Sequence, residues 1–145
     1  MLIYIGTYTG PKSKGIYWSR FDPKTGKLTG PELAAEAKNP TFLAIHPNSR
    51  FLYAVAETSD VGSNHTGAAI AFEIDQRSGK LKLLNQQSSG GAGPCHLSVD
   101  KKGKCVLVAN YGAGSIEALP IEPDGKLGAP SAFFQHAGSS VNRPR

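Results

Sequence analysis

The sequence predicts an all-β protein made of four-stranded antiparallel sheets, and three observations support this fold class. The chain holds 17 glycines and 10 prolines among 145 residues, which suits short strands joined by tight turns better than helices. Its apolar residues fall in short alternating runs rather than at helical spacing. The pattern of strands and turns also recurs about every 53 residues, so the fold is expected to be a repeat.

The first repeated unit is a hairpin that occurs at residues 39–57 and again at residues 93–111, aligned without a gap at an offset of 54. In each copy a proline precedes an alternating apolar strand, and a polar turn and a second β-rich strand follow. We therefore expect Pro40 and Pro94 to open innermost strands, and each second strand to end where its unit ends.

The second repeated unit is a hairpin at residues 15–28 and 68–81, at an offset of 53. It recurs, one residue shorter in its turn, at residues 121–127. In each copy a glycine supplies the turn, and the Lys-Leu pair that follows begins the outgoing strand.

Two hairpins per period give four strands per repeat, which is typical of a β-propeller blade. The blades are expected at about residues 2–37, 39–88 and 93–135, and the first of them lacks its inner strand. A blade must stack on neighbours to bury its sheet, and a closed ring needs about four to eight blades. We therefore expect residues 1–145 to be the N-terminal part of a single propeller domain, with the remainder of the same polypeptide as partner. A ring of several copies is the alternative.

Charge and cysteine content argue against several other functions. The net charge is +5, but the basic residues are dispersed among turns, so no nucleic-acid or membrane partner is expected. No apolar run approaches the roughly 20 residues of a membrane span. The chain start lacks a basic segment and turns polar at Thr7, which predicts a cytoplasmic protein. Cys95 and Cys105 form no CxxC pair and no metal-ligand spacing with histidine, so no metal or other cofactor is expected.

Five segments of the chain resemble the bacterial lactonase family of seven-bladed β-propellers: Ile3–Thr9, Gly15–Tyr17, Asn39–Leu43, Gly93–Asp100 and Val108–Ser115. That family includes the propeller-type 6-phosphogluconolactonase and is similar to carboxymuconate lactonizing enzymes. The resemblance covers essentially the whole chain but only the N-terminal portion of a full-length member. It implies a hydrolase that converts a sugar lactone, most directly 6-phosphogluconolactone, to the open acid 6-phosphogluconate. A carboxymuconate-type cycloisomerase and a non-enzymatic binding platform are the alternatives.

The repeat also predicts where a site would lie, because chemistry on a propeller sits where loops of several blades converge around the central channel. Antiparallel pairing brings the starts of the innermost strands and the ends of the second strands to one rim of that channel. The residues expected on this rim are Thr7, Phe42, Glu57, His96, Asn110 and Tyr111.

Lactone hydrolysis needs a base that activates water and donors that stabilise the developing oxyanion. We assign His96 and Glu57 as catalytic residues, with His96 as base or donor and Glu57 as base or as the group that orients a sugar hydroxyl. The expected substrate-binding residues, which would form hydrogen bonds, are Thr7, Asn110 and Tyr111. The family resemblance adds Arg145, which matches an arginine before a later family motif and would bind phosphate or carboxylate.

Overall fold

The computed structural model describes residues 1–61, 65–138 and 141, which form three antiparallel sheets. Blade 1 contains β1 (Leu2–Ile5), β2 (Gly15–Arg20) and β3 (Glu32–Glu36). Blade 2 contains β4 (Leu43–Ile45), β5 (Phe51–Val61), β6 (Thr66–Ile74) and β7 (Leu81–Ser88). Blade 3 contains β8 (Pro94–Val99), β9 (Cys105–Asn110), β10 (Ser115–Pro120) and β11 (Ala132–Gln135).

Each sheet is a meander in which strands that are consecutive in sequence are hydrogen-bonded neighbours. This topology, with no helix over the described ranges, confirms the prediction of all-β propeller blades. The innermost strands β4 and β8 of blades 2 and 3 lie beside each other. In the described part of the chain, no helix has the length and apolarity needed to cross a membrane.

The turn after the third strand repeats from blade to blade because an aspartate organises it. In blade 2 the Asp75 carboxylate accepts hydrogen bonds from Arg77 N (2.9 Å) and Ser78 Oγ (2.7 Å), and residues 22–26 form the same turn in blade 1. These hydrogen bonds hold the pKa of Asp75 below its usual range. Gly79 ends the turn with φ +75°, a conformation that glycine adopts without a Cβ penalty.

Two apolar cores lie between the blades. The first joins blades 1 and 2 and is built around Ile16, Leu52 and Phe72, all of which are almost fully buried. The second joins blades 2 and 3 and contains Leu97 and Leu119. Because β5 and β6 send alternate side chains to the two cores, blade 2 is buried on both faces.

A tyrosine and a turn glycine make the same contact where blade 1 meets blade 2 and where blade 2 meets blade 3. We call each of these contacts between neighbouring blades a seam. Tyr4 on β1 donates a hydrogen bond to the Gly79 carbonyl of blade 2 (3.0 Å), and Tyr53 on β5 donates one to the Gly125 carbonyl of blade 3 (2.9 Å). An aromatic ring of the preceding blade also lies against each glycine: a Cβ at Gly79 would be 2.7 Å from Trp18 Cδ2. The seam therefore depends on the absence of a side chain at the turn.

Two strand boundaries differ from the sequence prediction. Pro94 opens β8 as expected, but Pro40 lies three residues before β4. Asn39, with φ +44°, forms a short turn in which Thr41 N donates to the Asn39 carbonyl (2.8 Å), so the strand ladder begins later. The expectation that the second strand of blade 2 ends at Glu57 is also wrong, since β5 continues past an irregularity in register to Val61.

The outer face of blade 3, which points away from blade 2, carries an apolar groove of about 460 Å³. Its lining includes Leu107, Ile116 and Phe134, which are 51%, 46% and 58% exposed. On blade 2 the corresponding sheet face is covered by blade 3. Blade 3 therefore exposes an apolar sheet face of the kind that a neighbouring blade covers on blade 2.

Candidate functional site

The structural register shows which rim positions are equivalent in the three blades. Tyr4 pairs with Trp18 across β1 and β2, just as Tyr53 pairs with Ala71 across β5 and β6. Tyr4 therefore corresponds to Tyr53, and four residues further along Tyr8 corresponds to Glu57. In blade 3, the repeat offset of 54 residues makes Tyr111 the equivalent of Glu57.

This register corrects the predicted rim residue Thr7 to its neighbour Tyr8. Both residues lie in the loop between β1 and β2, and an alignment error of one residue selects the wrong side chain of that loop. The Thr7 hydroxyl donates to the Gly15 carbonyl and shares a hydrogen bond with Ser13 Oγ, both at 2.6 Å. The Thr7 hydroxyl is therefore engaged in local hydrogen bonds within blade 1.

The carboxylate of Glu57 accepts one hydrogen bond on each oxygen, from two different blades. The hydroxyl of Tyr8 in blade 1 donates to Oε1 at 2.8 Å, and the hydroxyl of Thr41 in blade 2 donates to Oε2. The hydrogen bond to Glu57 is the main cause of a raised pKa of Tyr8, so this tyrosine stays a neutral donor. Glu57 itself is half-buried, whereas Tyr8 is 66% exposed.

Asn39 holds the backbone of Glu57 in place. Its carbonyl accepts from Glu57 N (3.0 Å) and its side-chain Nδ2 donates to the Glu57 carbonyl (3.2 Å). Its Oδ1 accepts from both the backbone N (3.0 Å) and the hydroxyl (2.9 Å) of Thr9 in blade 1. Blades 1 and 2 are thus tied together directly behind the Glu57 carboxylate.

His96 lies on the rim, on the other side of the segment Thr41–Phe42 from Glu57. Its ring stacks on Phe42, its equivalent in blade 2, with ring centroids 4.3 Å apart and planes tilted by 49°. Since Thr41 contacts Glu57 and the next residue contacts His96, the two predicted catalytic side chains flank one dipeptide. His96 is exposed and also borders the groove on the outer face of blade 3.

Asn110 does not present its side chain on the rim. It is 2% exposed, and its Nδ2 donates to the Ser89 carbonyl (2.6 Å) and to Ser115 Oγ (3.1 Å). These contacts fix the loop between blades 2 and 3, so the prediction of Asn110 as a substrate ligand is corrected to a structural role. The neighbouring Tyr111 is 78% exposed, and Arg145 lies outside the described residues.

The structure thus brings together a rim cluster that we define as Tyr8, Thr41, Phe42, Glu57 and His96. Sequence reasoning missed Tyr8 and Thr41. The matching of Tyr4 with Tyr53 was the available signal for Tyr8, whereas nothing in the repeat marks Thr41. No group of three or more His, Cys, Asp or Glu residues suited to a metal ion occurs within the described residues.

A second carboxylate, Glu117 on β10, is buried between blades 2 and 3. It is 5% exposed, and its Oε2 has no hydrogen-bond partner among the described residues. The absence of a side chain at Gly90 leaves room for it, since a Cβ there would lie 2.7 Å from Glu117 Oε1. Removal from water raises the pKa of Glu117 to about 6.

The raised pKa of Glu117 predicts a pH dependence of stability. The folded protein binds the Glu117 proton more tightly than the unfolded chain, so this contribution is full below the unfolded pKa of 4.5 and is lost as the pH rises through about 6. We expect it to lower the free energy of unfolding by about 1 kcal/mol between pH 4.5 and 7.5, and Glu117→Gln to remove that component. Urea unfolding of both proteins across this range measures it; parallel pH profiles would contradict the prediction.

The chain is similar to proteins of known family and structure. Residues 2–145 match the family described as Lactonase, 7-bladed beta-propeller. The 6-phosphogluconolactonase of Bacillus subtilis is 38% identical over 93% of this chain and 37% of its own length, and that of Formosa agariphila is 34% identical over 96% and 39%. The solved periplasmic gluconolactonase of Pseudomonas aeruginosa superposes with a TM-score of 0.86 at 33% identity, covering 97% of this chain and 40% of that chain. The chain therefore spans about two-fifths of the length of these relatives.

Proposed function

Because the chain belongs to the family of seven-bladed β-propeller lactonases, we propose that a propeller containing it hydrolyses a sugar lactone, 6-phosphogluconolactone, to 6-phosphogluconate. The names of the Bacillus and Formosa relatives support this substrate. The observation that carries the proposal is the rim cluster, in which a histidine and a hydrogen-bonded carboxylate flank one dipeptide. Hydrolysis of a polyhydroxylated lactone requires a base that activates water, and a nearby hydrogen-bond acceptor can orient the hydroxyl groups of the substrate.

In the proposed reaction an imidazole nitrogen of His96 takes a proton from a water molecule as the water oxygen bonds to the lactone carbonyl carbon. The carbonyl electrons move to the oxygen and give a tetrahedral oxyanion. When this intermediate collapses, the ring C–O bond breaks and the proton on His96 passes to the leaving alkoxide. The net change is the addition of one water molecule and the opening of the ring.

The other rim groups position the substrate. Phe42 packs against the His96 ring and limits its orientation, while Glu57 accepts hydrogen bonds from substrate hydroxyls. Tyr111, exposed at the equivalent position of blade 3, supplies a further donor. Arg145 is proposed as the phosphate anchor, by its match to the family pattern.

We propose the remainder of a longer polypeptide as the partner of this chain. The apolar groove on blade 3 supports this, because monomeric proteins rarely leave such a surface uncovered. The cytoplasm is the proposed compartment, since Cys95 and Cys105 are free cysteines, which suit a reducing environment. Intact mass of the gene product and cell fractionation test these two points.

The function is tested with the polypeptide as its gene encodes it. Purified protein is given 6-phosphogluconolactone, and the appearance of 6-phosphogluconate is followed above the rate of spontaneous hydrolysis. We expect catalysed ring opening without added metal. Turnover of a carboxymuconate substrate instead would indicate the cycloisomerase, and binding of sugar acids without any turnover would indicate the binding platform; either result contradicts the proposal.

A further inference from the structure

The hydrogen bonds around Glu57 indicate which part of a substrate this carboxylate takes. A carboxylate has about four lone-pair positions, and the hydroxyls of Tyr8 and Thr41 occupy one on each oxygen. With respect to the described residues, each oxygen therefore keeps an acceptor position for a further donor. The two donors come from different blades, so the carboxylate is held across the seam between blades 1 and 2.

Within the described part of the chain, no basic side chain forms an ion pair with Glu57. Within the described residues, the ion pairs involve other carboxylates, and no lysine or arginine lies within 4.0 Å of Glu57. Hydroxyl donors orient the carboxylate but leave its negative charge in place. Such a group attracts neutral hydroxyls and repels phosphate and carboxylate anions.

We propose that Glu57, held by Tyr8 and Thr41, binds two neighbouring hydroxyl groups of a polyhydroxylated substrate, and that Tyr8 is a positioning residue for this subsite. The inference rests on the proposed function and adds an orientation to it. The hydroxyl-bearing carbons lie at the seam of blades 1 and 2, the lactone carbonyl lies towards His96, and the phosphate points away from Glu57.

The position of Tyr8 also distinguishes this role from simple support of the fold. Tyr4, on β1 of the same blade, makes a hydrogen bond across the same seam, but to the Gly79 carbonyl and not to Glu57. Both tyrosine hydroxyls join blade 1 to blade 2, and only that of Tyr8 contacts the proposed subsite. Tyr4→Phe is therefore a matched control for Tyr8→Phe.

The experiment compares both variants with the native gene product. Tyr8→Phe frees Glu57 from one of its two donors, and we expect KM for 6-phosphogluconolactone to rise about three- to tenfold while kcat changes less than about twofold. Tyr4→Phe is expected to change thermal stability but not KM. For a 2-deoxy lactone, which lacks one hydroxyl, the KM effect of Tyr8→Phe is expected to shrink. An unchanged KM in Tyr8→Phe, or an equal rise in Tyr4→Phe, would overturn the proposal.

Calorimetric titration with gluconate separates this proposal from the proposed function. Gluconate carries the hydroxyl groups without phosphate or a reactive ring. If the native protein binds gluconate and Tyr8→Phe weakens that binding, the subsite stands even when no lactone is hydrolysed. If the native protein hydrolyses the lactone but Tyr8→Phe leaves gluconate binding intact, the lactonase assignment stands and the subsite fails. Absence of both turnover and binding overturns both.

Discussion

Replacing His96 by alanine is expected to lower kcat for lactone hydrolysis by about 10²- to 10⁴-fold, the range for loss of a general base. The residue is exposed and its ring makes one stacking contact, with Phe42, so the fold should survive the change. The measurement is steady-state hydrolysis of 6-phosphogluconolactone by the full gene product, with far-UV circular dichroism to verify folding.

His136 provides the control for that result. Its ring packs on Phe134 of β11, with centroids 5.2 Å apart, and it directly follows this outermost strand of blade 3. We expect His136→Ala to retain native turnover. If His96→Ala retains it as well, the rim histidine has a packing role, and the base belongs elsewhere in the propeller.

Gly79→Ala is expected to lower the free energy of unfolding by about 2–4 kcal/mol. Part of this cost, about 1 kcal/mol, comes from placing alanine at φ +75°, in the left-handed region. The rest comes from the seam, where the new methyl group would lie 2.7 Å from Trp18 Cδ2 and 2.9 Å from Cε3. Urea unfolding followed by circular dichroism measures the loss.

Gly26 separates the two contributions, because it occupies the same turn of blade 1 with φ +71° and has nothing within 4 Å of its Cβ position. Gly26→Ala should therefore cost only the backbone contribution of about 1 kcal/mol. Equal losses in the two variants would show that the ring of Trp18 moves aside freely, against the tight packing described for this seam.

The blades could be predicted from the sequence because the same local pattern of strands and turns occurs several times. Hairpins at residues 39–57 and 93–111 share alternation, turn chemistry and length, and each of these properties is local. The predicted fold class needed no knowledge of which side chains meet. The end of β5 was harder to predict, since it depends on pairing between Val61 and Thr66 beyond an irregularity in register.

The site was only partly predictable because it depends on contacts between blades. Glu57 and His96 were selected from their places in the repeat, but their assigned roles remain proposals. Tyr8 was missed because the repeat alignment placed Thr7, one residue earlier in the loop after β1, at this position. Asn110 was misjudged because a polar side chain at a strand end can turn inward when loop carbonyls such as that of Ser89 accept its hydrogen bonds.

The packing of Trp18 against Gly79 also makes tryptophan fluorescence an intrinsic probe of the contact between blades 1 and 2. Trp18 is the only tryptophan in the sequence, is 8% exposed, and lies at the contact between blades 1 and 2. Its fluorescence emission should therefore shift to the red when water enters that contact, whatever happens at the contact between blades 2 and 3. If the blades separate one after another, fluorescence and circular dichroism will give non-coincident unfolding curves; an all-or-none ring will give one.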